Sequence, residues 1–260
     1  MKYIQTIALG LSLTLASVAA YASPDKLLSH LQHMRLSSIS SMSNFFMFSG
    51  LNADQKYERR MMKDLTTFTE AMNAAQALVA GGTPSEHMSK IESDWNAYMT
   101  KLATHQKVVA DMGKIDTAES MALGALCNNL STSITKAYTA IATGNGPNSK
   151  VQQARDLAIL LQEMTTQYAA TGSAGESEFH AGEYKRSLAE MSNTFTTEFS
   201  KLSITAKNTD TNLLLEDISS KWRMLNQSLN DQNGGGVPFL IISYNDRIIH
   251  HLEELESMVQ

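Results

Sequence analysis

The sequence predicts an all-α protein built from two tandem, or end-to-end fused, up-and-down four-helix modules, and three observations carry that expectation. Met88, Ile91, Trp95, Tyr98 and Leu102 recur at alternating three- and four-residue steps, which puts them on one face of a helix. The same pattern returns 127 positions later as Leu215, Ile218, Trp222, Leu225 and Leu229, so that both tryptophans of the chain fall at one point of one motif, Ile91-x-Ser93-x-Trp95 and Ile218-x-Ser220-x-Trp222. A match of that kind over a long interval is the mark of an internal duplication, with Ile91, Trp95, Ile218 and Trp222 at the core of each copy. Finally, the four prolines, Pro24, Pro84, Pro147 and Pro238, each stand where a helical pattern opens, the position at which a missing N–H costs least.

From the N-terminus, residues 1–22 read as a targeting segment. Lys2 supplies a positive start, Ile4 to Ala20 is uncharged, and Ala20-Tyr21-Ala22 offers the small-x-small pattern cut by leader peptidases. Cleavage after Ala22 would place the chain in the periplasm. The run is short of the roughly 20 residues needed to span a bilayer. Module 1 is expected over 23–145, with helices at about 24–50, 53–80, 84–113 and 116–143. Module 2 is expected over 146–260, with helices at about 148–171, 176–206, 210–231 and 237–259. Thr83 with Glu86, and Asp116 with Glu119, have the spacing of helix-start signals. Glycines gather between patterns, at Gly81-Gly82, Gly144 with Gly146, Gly172 to Gly175 and Gly234 to Gly236. The break at Leu51-Asn52-Ala53-Asp54 is weak, so 24–80 could also form one kinked helix. Short connections make sequential helices antiparallel.

Composition narrows the chemistry. A net charge of −5 and the absence of any basic patch argue against nucleic acid as a partner. The single cysteine, Cys127, lies on the apolar stripe Leu123, Cys127, Leu130, Ile134 and reads as a small buried hydrophobe. No phosphate loop, His-Glu-x-x-His, nucleophile elbow or covalent-haem motif is present, and no Glu stands three residues before a His as di-iron bundles require. The protein is therefore expected not to be an enzyme and to carry no cofactor. His30, His33 and Met34 share a helix face and are the weak candidates for a metal site, copper by ligand softness. His105, on the stripe Leu102, His105, Val109, is the best placed axial ligand for a haem, although a buried structural histidine accounts for it as well. Glu253, Glu254 and Glu256 read as a solvated helix face.

The first helix of each module holds the more informative polar feature. After Arg35 the chain runs from Leu36 to Ser49 without a charge, rich in hydroxyls, and Arg155 likewise precedes an apolar run, Leu157 to Leu161. A guanidinium is always charged and grips carboxylate, nitrate or phosphate oxygens two at a time. Arg35, Ser38 one turn on, and Arg155 are the candidate ligand-binding residues; pairing of either arginine with local acids is the alternative.

Met34-Arg35-Leu36-Ser37-Ser38 resembles the Arg-Met-x-Ser segment on the first helix of PilJ-type domains, the periplasmic helical sensor modules of type IV pilus methyl-accepting transducers. Gln153-Ala154-Arg155-Asp156-Leu157-Ala158 is a weaker echo, and Trp95 and Trp222 match a later helix with a Trp in an apolar stripe. The resemblance implies four-helix sensing bundles with Arg35, and less strongly Arg155, at the ligand position. The sequence departs from the family in showing no membrane span and no output domain, so a signal would pass through a membrane-bound receptor or envelope protein. Three functions are compatible with the sequence. The first is a non-enzymatic periplasmic module binding a small anionic ligand. The second is a helical envelope interaction protein without a small ligand, suggested by the apolar excess of the last helix from Phe239 to Leu255. The third is a copper or haem carrier.

Overall fold

A computed structural model describes residues 24–79, 83–144, 146–174, 186–204, 208–229 and 238–259. The expected leader 1–22, the stretch 176–185 with His180, and the glycine runs 81–82 and 234–236 lie outside the described residues. Among those described the fold is entirely helical: α1 Pro24–Gly50, α2 Gln55–Leu78, α3 Thr83–Met112, α4 Thr117–Ala142, α5 Ser149–Ala174, α6 Leu188–Ile204, α7 Thr209–Leu229 and α8 Pro238–Val259. No helix among them is long and apolar enough to cross a membrane.

The helix ends follow from local chemistry. Asp54 and Asp116 accept the backbone N–H groups of Lys56 and Ala118, each at 2.8 Å, and so satisfy donors that the first turns of α2 and α4 leave open. Asn52 and Ala53 take left-handed φ values of 53° and 60°, which no helix tolerates. A single kinked helix over 24–80 is thereby excluded. The expectation of a helix from 176 also needs correction at its described end. Arg186 and Ser187 are not helical, and α6 begins at Leu188 behind a reciprocal capping box. In it Ser187 N donates to Glu190 Oε2 (2.8 Å) and Glu190 N donates to Ser187 Oγ (3.2 Å).

Helix α1 packs against α2, α4 and α5, while α5 packs against α1, α6 and α8; α3 lies on α4 and α7 on α8. Gln32 Nε2 donates to the Arg155 carbonyl (3.2 Å) and Thr166 Oγ1 to the Ile39 carbonyl (3.3 Å). Residue numbers rise together across these two contacts, so α1 and α5 run parallel, side by side. Burial on three sides explains the uncharged stretch after Arg35 without invoking a pocket. Ser37, Ser38 and Ser41 return their hydroxyls to carbonyls of the preceding turn, which keeps them satisfied where water cannot reach.

Two apolar clusters form. The first unites α1–α4 and takes in Ala169 and Ala170 from α5 and Ile242 from α8. The second unites α5–α8 and takes in Leu36 and Ile39 from α1. Each tryptophan lies against a phenylalanine of the preceding helix: Phe68 and Trp95 stack with ring centroids 3.8 Å apart, and Phe195 and Trp222 lie 4.2 Å apart. The two phenylalanines are separated by the same 127 positions as the tryptophans. Ser93 and Ser220, which match in the sequence motif, are both exposed. Truncating either buried phenylalanine leaves a cavity beside an indole. Phe68→Ala and Phe195→Ala are each expected to cost about 3–5 kcal/mol, measured by denaturant unfolding followed by tryptophan fluorescence.

Candidate functional site

The two arginines singled out in the sequence are brought together. Arg35 from α1 and Arg155 from α5 are 8% and 3% exposed, and both meet Tyr138 of α4. The Arg35 guanidinium carbon sits 5.1 Å from the Tyr138 ring centroid, and Arg155 Nη1 donates to the Tyr138 hydroxyl at 3.1 Å. Gln32 ties the pair together, because its Nε2 donates to the Arg155 carbonyl while its Oε1 accepts Arg35 Nη1 at 3.1 Å. The Tyr138 hydroxyl donates onward to Gln152 Oε1 (2.8 Å), and Gln152 Nε2 donates to Asp156 Oδ1 (2.9 Å).

The arginines differ in what remains unbonded. Arg155 Nε donates to Glu256 Oε2 at 2.8 Å, in an ion pair whose side chains are 4% and 13% exposed. Burial works against the Arg155 charge, but the bonds to Tyr138 and Glu256 outweigh it and raise its pKa. Glu256 is therefore no part of a solvated face, as its sequence position suggested; the stripe Ile248, Leu252, Leu255 carries it inward at the end of α8. Arg35 has no such carboxylate. Its Nε is buried without an acceptor, and its Nη2 makes no hydrogen bond among the described residues. Burial lowers the Arg35 pKa, partly offset by Asp156, Tyr138 and Glu163. A buried donor left unpaired costs about 1–3 kcal/mol, so this edge of the guanidinium is the unusual feature of the site. Removing Arg155 instead strands the Glu256 carboxylate. Arg155→Ala is expected to destabilise the fold by about 3–5 kcal/mol in urea unfolding, and Arg35→Ala by clearly less.

Clefts surround Arg35. One of about 590 Å³ lies between α5 and α6 and is lined by Arg35, Asp156, Leu160, Glu163, Arg186 and Glu198. A second, of about 480 Å³ on the α4 side, shares Arg35, Gln152 and Asp156 with the first and adds Thr135, Tyr138 and Thr139. A third cleft of about 370 Å³, with Met42, Phe46, Cys127 and Thr166, shares Glu163 and Arg186 with the first. Those two residues form an ion pair of 3.1 Å at the junction.

Other sequence candidates do not join this site. Ser38 is fully buried with its hydroxyl on the Arg35 carbonyl at 3.0 Å, and the Cys127 thiol donates to the Ser38 carbonyl at 3.5 Å. Burial pushes that thiol up to about 12, so it carries no thiolate. Met34 is in the first core while His33 is exposed, which separates the expected His30, His33, Met34 face. No group of three or more His, Cys, Asp or Glu side chains among the described residues could hold a metal ion. His105 is buried with Nε2 3.3 Å from Glu119, and burial together with Lys101 lowers its pKa against the pull of Glu119. Ile91, Trp95, Ile218 and Trp222 are core residues of α3 and α7. Gln32, Tyr138, Glu163 and Arg186 were not singled out from the sequence. Tyr138 was the most accessible of them, a polar-tipped aromatic one residue beyond the stripe Leu130, Ile134, Ala137.

A separate polar knot holds α2 to α1 and α8. Asp64 Oδ2 accepts from Ser40 Oγ (2.8 Å) and Asn44 Nδ2 (2.7 Å), and Arg60 bridges Asn44 Oδ1 and Asp246. Burial raises the Asp64 pKa from 3.8 to about 6 despite these bonds and Arg60. The folded state therefore binds the proton more tightly than the unfolded chain. The resulting stability is fully present below about pH 3.8 and is lost as the pH rises through about 6. Asp64→Asn keeps an acceptor for Ser40 and Asn44 but cannot ionise. Its melting temperature relative to wild type is expected to be higher at pH 7.5 than at pH 4.5, and an unchanged difference would assign Asp64 an ordinary pKa.

No protein-family model matches the chain, and neither does any curated protein or solved structure.

Proposed function

We propose that the chain is a non-enzymatic binding module, exported by its N-terminal segment, that holds a small ligand at Arg35 and relays its state to a membrane-bound partner. The observation that supports this reading most directly is the Arg35 guanidinium, buried at the meeting of two clefts with one edge lacking a protein acceptor. Burying a charge is costly unless every donor is used, and Arg155, a few ångströms of Tyr138 away, shows how this fold satisfies such a group when the role is structural. The similarity of Met34-Arg35-Leu36-Ser37-Ser38 to the PilJ-type first helix points to the same residue.

In this reading the protein is a duplicated pair of four-helix bundles, α1–α4 and α5–α8, joined along α1 and α5. The equal spacing of Phe68 with Phe195 and of Trp95 with Trp222 supports the duplication, as does the recurrence of helix neighbours in each half. Arg35 lies on α1, which like α5 and α8 contributes to both apolar clusters, so a ligand that drew α1 toward α5 or α4 would alter packing in both halves. A second reading, an interaction protein without a small ligand, is favoured by Phe239 and Leu240 at the start of α8, which are 51% and 42% exposed.

Thermal unfolding with a panel of nitrate, phosphate, carboxylates, amines and amino acids separates the two. A compound present at 100 times its dissociation constant is expected to add about 2.7 kcal/mol of stability, and Arg35→Ala is expected to abolish that gain. A gain that survives the substitution would move the site elsewhere. No gain across the panel would leave the interaction reading.

A further inference from the structure

The Arg35 cleft carries charge of both signs, and its ion pairs leave one group of each sign over. Of the carboxylates lining it, Glu163 is paired with Arg186 and Glu198 with Lys201 at 2.6 Å. Asp156 accepts the Gln152 amide and forms no ion pair among the described residues. Arg35 and Asp156 both line the 590 Å³ and the 480 Å³ clefts, yet no salt bridge joins them. The guanidinium and the carboxylate therefore line shared space, near enough for Asp156 to favour the Arg35 charge but without a direct ion pair. A simple anion bound at Arg35 would meet Asp156 and Glu163, and a simple amine at Asp156 would meet Arg35 and Arg186. A molecule with both charges meets neither conflict.

We infer that this cleft binds a small zwitterion, an amino acid or short peptide, with its carboxylate on the Arg35 guanidinium and its ammonium on Asp156. The inference rests on the proposed binding role of Arg35 and specifies what is bound. A guanidinium edge takes a carboxylate through two parallel N–H···O bonds, which fixes orientation as well as charge. Leu157, Ile159 and Leu160 line the same cleft and give an apolar side chain a surface, while Thr194 offers a hydroxyl. Volumes of about 590 and 480 Å³ lie within the range of small-molecule sites, roughly 300–1,000 Å³.

Calorimetric titration of the full chain with the twenty amino acids and with alanine di- and tripeptides tests the inference, using matched analogues that lack one charge: propionate and ethylamine beside L-alanine, butyrate and propylamine beside γ-aminobutyrate. At least one zwitterion is expected to bind at least about tenfold more tightly than the analogue without its amino group and the one without its carboxyl group, since each lost charge-assisted bond is worth about that factor. Asp156 is exposed and Asn keeps an acceptor for Gln152, so Asp156→Asn should lower the circular-dichroism melt only slightly, by the support that Asp156 gives the Arg35 charge. It should weaken the amino acid or peptide about tenfold without weakening propionate or butyrate. Propionate or butyrate binding as tightly as the zwitterions, in an Arg35-dependent way, would overturn the zwitterion while leaving Arg35 as a ligand residue. Amines binding as tightly as zwitterions would overturn the carboxylate contact. No binding by any of these probes would overturn the inference, and the reading beneath it falls with it if nitrate and phosphate also leave the melting temperature unmoved.

Discussion

The contact between α1 and α5 is the constraint on which the rest of the structure depends. Each of these helices has three neighbours, so almost no face of α1 between Leu27 and Phe48 is open to water. A helix in that position cannot carry ordinary charges, and its short polar side chains must find partners close at hand. The serines of α1 do so within their own helix, and Asn44 does so through Arg60 and Asp64. Helices α3 and α7, each resting mainly on one other helix, keep the single apolar stripe of a surface element.

That difference decides how much could be read from the sequence. The stripes of α3 and α7 are legible because burial on one side imposes a period on the residues, and Trp95 and Trp222 mark it. Asp116 announces the start of α4 in the same local way, whereas Asp54, which caps α2, stands in a break that reads as weak in the sequence. Helix α1 is misleading for the opposite reason. Burial on three sides erases the period, and the resulting run of serine, methionine and phenylalanine has no single apolar stripe from which its neighbours could be read.

The site divides along the same line. Arg35 and Arg155 stood out because a charge beside an apolar run is rare and needs an account. Their partners did not, since Tyr138 is 103 residues from Arg35 and Glu256 is 101 from Arg155, and nothing local links them. Glu256 looked like a member of an acidic surface because Glu253 and Glu254 are its neighbours in sequence. Only the turn of α8 separates the glutamate that faces Arg155 from those that do not. Pairings of this range are set by helix packing, which a linear pattern describes only after the neighbours are known.

The exchange of residues between the two apolar clusters bears on how the chain acquires its structure. Leu36 and Ile39 leave the α1 surface to complete the second cluster, and Ala169, Ala170 and Ile242 complete the first. A nascent chain that ends near residue 145 has α1 in place with one flank uncovered, and no rearrangement of α2–α4 supplies the missing helix. Contacts that span more than a hundred residues form late and at an entropic cost. The flank of α1 that carries Leu36 and Ile39 is therefore covered only when α5 lies against it, so neither half's core is closed by its own four helices alone.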